Sequence, residues 1–329
     1  MIEVIDEQRG RTYFDLDELL GTEPPPPADY AIGGLLERSN HGLLCGIGGI
    51  GKTMFLNQLV TSATVEHPDE FPYSLGITVD ATRIVWCDAE MGQVGTIRRY
   101  WRTELRPYIS PGRIGYWDAS GLDIGNPVDA DSFRRVLDGA DLVILDSLRR
   151  LCPTAAENTS DDMAYVVGTI TGWAHELGPA ILTIHHQGGD PNKWFRGSTA
   201  IRDACDLLLG WLPHSFDGGE DDLLRRLSAR GTWAKVRHER PPPDRWFQQT
   251  ESGLLVPVDA PASIATGKWD DAILALLPFD GTKTALAEAC VDPNDPTRRG
   301  SLSNNAWARS YTRVATHDGN AHVPIEPVI

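Results

Sequence analysis

The chain has 329 residues, enough for one large α/β domain with an appendage or for two domains, and its 41% hydrophobic and 23% charged content is ordinary for a globular protein. No stretch approaches the roughly eighteen consecutive apolar residues of a spanning helix, and the acidic start Met1-Ile-Glu-Val-Ile-Asp-Glu lacks the basic and apolar regions of a signal peptide. A formal net charge of −16 repels polyanions on average, so contact with nucleic acid has to come from a local basic patch, loop or pore.

Residues 1–28 run into four prolines, Pro24 to Pro27, and read as an extended arm or linker. From Tyr30 to about Arg240, short β-rich runs alternate with helical stretches, which predicts an α/β, doubly wound, mostly parallel sheet. The first such unit is His41–Cys45, an apolar strand, followed by Gly46-Ile47-Gly48-Gly49-Ile50-Gly51-Lys52-Thr53 and an amphipathic helix from Met54 to Val60. The middle run fits the phosphate-loop pattern in its required strand–loop–helix setting. Its glycines let backbone N–H groups face a polyphosphate, Lys52 can reach the outer phosphates, and Thr53 offers a hydroxyl to Mg²⁺. The chain is therefore expected to bind a nucleoside triphosphate with Mg²⁺.

Further strands are expected at 83–88, 141–146, 180–185, 206–211 and 232–237 as near-continuous apolar runs buried on both faces. Glu90 lies just past the second strand, two residues after Asp88. Hydrolysis needs a base or water-orienting group there, although a helix-start carboxylate is the plain alternative. Asp146 ends an apolar strand, where parallel sheets bind ligands, and can orient a metal-bound water beside Thr53. His185 and His186 close the next strand. The glycine-rich loop that follows carries Lys193, Trp194, Phe195 and Arg196, which suits base stacking and phosphate contact or, equally, packing beneath a surface loop. Lys235 and Arg237 share one face of the last strand, as i and i+2 residues do, and read plainly as edge-strand charges.

Pro241-Pro-Pro-Asp-Arg and the Pro/Ala/Gly-rich stretch 257–267 break the pattern. Helical readings follow at 270–277, 283–290 and 301–315, suggesting a small helix-turn-helix or winged-helix-like module. Arg298, Arg299, Arg309 and Arg313 make duplex DNA one possible partner of this module and a protein contact the other. The expected division is an arm at 1–28, an ATPase domain at 29–256 and the module at 257–329. The five cysteines, at 45, 87, 152, 205 and 290, are scattered and odd in number, which favours a reducing cytoplasm and argues against a zinc site or disulfide framework.

Six features fall in a telling order: the phosphate loop, Asp88-Ala-Glu90, Asp146-Ser-Leu148, the Glu-Asn-x-x-Asp-Asp-Met run at 157–163, His185-His186, and Arg196-Gly-Ser-x-Ala-Ile-Arg-Asp-Ala-Cys-Asp206. Together they resemble the RecA-like ATPases of the RepA-type plasmid helicase group, also described as AAA-domain RepA-like proteins, over roughly residues 28–240. The resemblance implies a RecA-like fold, a water-activating role for Glu90 and a γ-phosphate sensor at His185 or His186, with His185 preferred as the strand end. It implies that Lys235 and Arg237 reach the nucleotide of a neighbouring subunit, with Arg196 and Arg202 as competing fingers. It also implies a homo-oligomeric, hexameric ring whose loop around Lys193, Trp194 and Arg196 grips single-stranded DNA. The acidity and the lack of an obvious collar or primase domain depart from the larger replicative helicases. A recombination-mediator or switch ATPase, and a nucleotide-gated DNA-binding regulator, are the rival readings.

Overall fold

The computed structural model describes residues 27–67, 71–188, 193–213, 223–230, 232–237, 241–260 and 282–292, short stretches at 4–6, 11–13, 279–280, 295–299, 315–318 and 321–324, and the single residues 273, 276 and 311. They fall into two compact units, Met1–Val258 and Asp259–Ile329. Two antiparallel strand pairs come first, β1 (Val4–Asp6) with β2 (Arg11–Tyr13) and β3 (Tyr30–Ile32) with β4 (Leu36–Glu37). The chain then alternates β5 (His41–Gly46), α1 (Lys52–Ser62), β6 (Ile84–Asp88), α2 (Gly92–Arg102), β7 (Ile114–Asp118), α3 (Pro127–Leu137) and β8 (Leu142–Asp146). Next come α4 (Leu148–Leu151), α5 (Ser160–Leu177), β9 (Ala180–His186), α6 (Ala200–Ala204) and β10 (Leu207–Pro213). The unit closes with β11 (Leu224–Ser228), β12 (Lys235–Val236), β13 (Arg245–Gln249) and β14 (Leu255–Val258).

Ten of these strands form one sheet in the order β14-β13-β11-β10-β5-β9-β8-β6-β7, with β12 also paired to β10. The six from β10 to β7 run parallel, and β11 to β14 extend the sheet antiparallel. Alternation along each strand feeds two cores. Leu44, Ile84, Trp86, Ile144 and Leu182 pack with Phe55 and Leu59 of α1 on one face. Leu43, Val85, Val143 and Ile181 meet Phe133 of α3 and Val166 and Ile170 of α5 on the other. Each fully buried aliphatic side chain contributes about 1.5–3 kcal/mol, so the central strands β5, β8 and β9 are fixed in register and their carboxyl ends are held level.

Two departures from expectation have physical causes. The strand expected at 232–237 is only two residues long and half-buried, because the charges of Lys235 and Arg237 cannot enter a sheet covered on both faces. The sequence pattern also missed β7, β11, β13 and β14. β7 is a half-exposed edge, and β11 reads Leu-Arg-Arg-Leu-Ser, so neither shows a continuous apolar run.

The second unit runs β15 (Phe279–Asp280), α7 (Lys283–Ala289), β16 (Val291–Asp292), β17 (Asp295–Arg299), β18 (Ala315–Asp318) and β19 (Ala321–Pro324). β18 and β19 pair antiparallel and β15 adds to β19, while β16 pairs with β17. α7 occupies the stretch expected to be helical and is capped by the Thr282 hydroxyl, which accepts from the Ala285 N–H. The strands beside it were not expected. The other two expected helices, at 270–277 and 301–315, lie outside the described residues except for Ile273, Leu276, Tyr311 and Ala315, the last of which opens β18. Arg309 and Arg313 lie outside them as well.

Candidate active site

The loop from Gly46 to Thr53 leaves the carboxyl end of β5 and enters α1 directly. Gly49 and Gly51 hold left-handed φ values of 75° and 98°, where a side chain is strained. Gly46 is needed for a different reason: a Cβ there would stand 2.3 Å from the Trp211 carbonyl oxygen of β10. Around Gly48 and Gly49 nothing lies within 4 Å of an added Cβ, so the loop's outer face is open. α1 has no side-chain cap and no acid in its first turn, which leaves its N–H groups turned to the same space. From behind, the Trp211 Nε1 and Arg225 Nε both donate to the Ile50 carbonyl at 3.1 Å.

Lys52 is buried, and its ammonium donates to the carbonyls of Gly46 and Ile47 at 2.8 and 2.7 Å. Burial lowers its pKa to about 8. Asp146 at the end of β8 is also buried; its Oδ1 has no hydrogen-bond partner, and burial raises its pKa to about 6 against the opposing pull of the Thr53 hydroxyl. A buried carboxylate atom without a partner is costly in a closed site and ordinary in one shaped for a cation.

Glu90 follows β6 on a turn organised by Asp88. The Asp88 carboxylate accepts from the N–H groups of Glu90 and Met91 at 2.9 and 2.8 Å and from the Thr96 and Tyr116 hydroxyls at 2.8 and 3.1 Å. Asp88 is thus saturated, and Glu90 is the carboxylate left to face the cavity. The His186 ring holds the Glu90 pKa down to about 2. His186 Nε2 lies 3.4 Å from Glu90 Oε2, and its Nδ1 lies 3.4 Å from Lys52 Nζ. His185, the expected member of the pair, points the other way. It is fully buried, its Nε2 meets the Arg196 carbonyl at 3.0 Å, and burial lowers its pKa to about 4. Because β9 runs on through His186, alternation turns that residue, and not its neighbour, to the loop.

A cavity of about 320 Å³ joins Lys52, Thr53, Met54, Glu90, His186 and Arg99, with Arg102, Gln249 and Gly253 also on its wall. A second, of about 640 Å³, shares Glu90 and His186 and adds Ser147, Arg149, Arg150 and Arg196. Sequence reasoning missed Arg99, Arg102, Arg225 and Gln249. The i, i+3 spacing of Arg99 and Arg102 on one helix face was a readable signal, whereas Arg225 and Gln249 sit on the antiparallel strands and carried none.

The remaining candidates stand elsewhere. Lys235 and Val236 pair with Leu208 and Leu207, which are level with Leu43 and Gly42 at the amino-terminal end of β5, away from the phosphate loop. Lys235 donates to the carbonyls of Arg202 and Asp203 at 3.0 and 2.8 Å, and Arg237 lies 3.4 Å from the buried Asp206. Arg202 is on this edge too, 6.0 Å from the Trp233 ring. Lys193 donates to the Gly197 carbonyl at 2.6 Å and lies 4.6 Å from the buried Phe195 ring. A Cβ on Gly210 would come within 2.8 Å of the Trp194 ring, and Arg196 pairs with Glu157 at 2.7 Å. The described part of this loop is therefore packed onto its own chain, not held open as a stacking surface; residues 189–192 lie outside the described ones.

Glycines that leave the loop open, a buried lysine, Thr53 beside Asp146, and an unpartnered carboxylate atom together fit a Mg²⁺-bound triphosphate. Set at the carboxyl ends of a mostly parallel sheet, they define a RecA-like P-loop ATPase. Residues 8–192 match the AAA domain family, and the chain belongs to it. Among solved structures it is similar to an ATPase domain at 16% identity, over 67% of this chain and 85% of that one, with a TM-score of 0.51. A DnaB-like replicative helicase described with its primase interactions gives 16% identity, 68% and 58% coverage and a TM-score of 0.50. A KaiC-like protein from the hyperthermophilic archaeon Pyrococcus horikoshii gives 17% identity, 72% and 100% coverage and a TM-score of 0.50. Among the described residues no helix is long and apolar enough to cross a membrane.

Proposed function

We propose that the chain hydrolyses ATP and uses the turnover to move along single-stranded DNA as a ring-forming helicase or translocase. The observation that carries the ATPase part is the convergence of Lys52, Thr53, Glu90 and His186 on one cavity with the unpartnered Asp146 behind it. In this reading the N–H groups of Gly46 to Thr53 and the Lys52 ammonium bind the phosphates, with Met54 at the start of the helix beneath them. Thr53 and Asp146 would hold Mg²⁺, and the charge it would supply there offsets that of the phosphates. Glu90, kept ionised by His186, accepts the proton of the attacking water. His186, bridging Glu90 and Lys52, is placed to respond to the γ-phosphate.

The motor part rests on the likeness to a replicative helicase domain and on the position of Lys235 and Arg237. Both face away from their own phosphate loop, so any contribution to hydrolysis comes from a neighbouring copy, in a ring that the resemblance makes hexameric. The same reading takes residues 29–256 as the motor and 257–329 as an accessory module that contacts duplex DNA or protein. It places the protein in the cytoplasm, where five free cysteines stay reduced. The likeness to a KaiC-like protein equals that to the helicase, so the fold does not choose between the motor and the second reading, a RecA-like switch ATPase that assembles without unwinding. Steady-state hydrolysis with and without single-stranded DNA tests both, beside Lys52→Ala and Arg237→Ala. DNA stimulation lost in both variants supports the assembled translocase; turnover indifferent to DNA and to Arg237→Ala moves the assignment to the switch.

A further inference from the structure

No side chain of helix α2 is fully buried. Val94, Ile97 and Trp101 recur at helical spacing along it and are 60%, 49% and 63% exposed. Between this helix and the sheet runs a groove of about 330 Å³, lined chiefly by Trp86, Ile97, Tyr100, Trp101, Ile114 and Tyr116. Among the described residues β7 is the last strand of the sheet, with no further strand beyond it. The groove is also cationic. Arg106 lines it, with its guanidinium 4.6 Å above the Trp101 ring, and the exposed Arg98 follows Ile97 on a helix with no acid between Met91 and Thr103; Arg99 and Arg102 belong to the phosphate-loop cavity. In a chain of net charge −16, an apolar surface bordered by arginine and free of acids suits an acidic, apolar peptide.

The chain carries such a peptide. Residues 14–20 read Phe-Asp-Leu-Asp-Glu-Leu-Leu: four apolar residues, three acids and no base. Their place of attachment is fixed. Asp29 lies 3.2 Å from Arg38, which lies 3.4 Å from Asp141 at the foot of β8, two strands or about 10 Å from β7. Ala31 and Ile32 share a core with Ile84, Trp86, Ile114 and Tyr116, so the arm leaves on the face of the sheet that holds the groove. Residues 21–28, with their proline run, span about 25 Å when extended, which covers the distance without help from another copy.

We propose that residues 14–20 dock in the α2 groove of the same chain, their apolar side chains on Trp86, Ile97 and Trp101 and their acids toward Arg98 and Arg106. The test uses the full-length chain without nucleotide, so it does not depend on the ATPase reading. Leu20→Cys is combined with Ile97→Cys and, as the control, with Val128→Cys, an exposed position on α3 at the opposite face of the sheet; the five native cysteines are buried. Under a mild oxidant the first pair should close an intramolecular disulfide at least tenfold faster than the control, at a rate independent of protein concentration. Reversing Asp15, Asp17 and Glu18 to lysine should slow it about tenfold, as should rising salt. Equal rates for the two pairs would overturn the proposal. So would a covalent dimer forming at a concentration-dependent rate, which would make a second copy the occupant. Hydrogen exchange over 92–102 gives an independent reading: the charge reversal should speed it, and no change counts against docking.

Discussion

The parallel strands end in two buried polar clusters of opposite character. At their amino-terminal edge the His41 ring sits between the hydroxyls of Thr171 and Thr183, each 2.9 Å from a ring nitrogen. Asp206 Oδ2 accepts from the His41 N–H at 3.0 Å and meets His175 at 2.9 Å, and its Oδ1, without a hydrogen bond, faces the Arg237 guanidinium at 3.4 Å. The one carboxylate of this cluster thus has its counter-charge in the same chain. At the carboxyl-terminal edge, Asp146 Oδ1 has no hydrogen-bond partner, Lys52 is held by the carbonyls of its own loop, and Glu90 and His186 meet only at 3.4 Å. Folding gives the first cluster its own ion pair, whereas Asp146 Oδ1 has neither a hydrogen bond nor an ion pair, as in a site that takes a charged ligand. Burial of charge therefore does not mark function here; a buried carboxylate atom without a counter-charge does.

The largest effect that would sharpen this contrast is Lys52→Ala. It should abolish detectable ATP binding in calorimetry and lower hydrolysis at least about 100-fold while leaving the melting temperature nearly unchanged, since the ammonium has only the carbonyls of its own loop and a long 3.4 Å contact with His186 to lose. Acid should strike the other edge. His41 titrates near 3 in the fold, lowered by burial, against 6.5 as its ordinary value. Between those values the unfolded chain binds a proton that the folded chain does not, so stability is full above pH 6.5 and falls as pH drops toward 3, by a few kcal/mol. His185, also buried, adds in the same direction. Denaturant melts from pH 7 to 4 check this, and His41→Gln should flatten the slope.

Asp206→Ala should cost about 2 kcal/mol, mostly from the His41 N–H left unsatisfied, with the half-exposed His175 and Arg237 adding little. Asp146→Asn is the smallest and most telling case. Removing an unpartnered buried charge should leave the ligand-free chain as stable or about 1 kcal/mol more stable, yet suppress Mg²⁺-dependent hydrolysis. If it instead destabilised the chain as Asp206→Ala does, the contrast between the two edges would be lost.

The legibility of the molecule followed the same division. Strands covered on both faces announce themselves as apolar runs, so β5, β6, β8, β9 and β10 were readable within a residue or two. The loop and the carboxylates that follow these strands were readable because strand ends are where such sheets place ligands. His185 against His186 depended on one residue of strand length, which pattern cannot resolve. Arg99 and Arg102 reach the cavity from a helix with no fully buried side chain, where their i, i+3 spacing was the one sign, and Arg225 and Gln249 come from antiparallel strands whose sequence is polar. The roles of the last two arise from tertiary proximity, for which a linear pattern holds no sign.

The two donors on the Ile50 carbonyl bear on where this protein could be cut. Trp211 lies on the last parallel strand and Arg225 on the first antiparallel one, both beyond residue 192, where the family match ends. A fragment trimmed to that match would retain the whole phosphate loop with Glu90, Asp146 and His186. It would lose both hydrogen bonds at the back of the loop, together with the carbonyl of Trp211 against which Gly46 is packed. Such a fragment would contain the signature in full and leave the cradle without its buttress. A piece that keeps this buttress extends at least through β11.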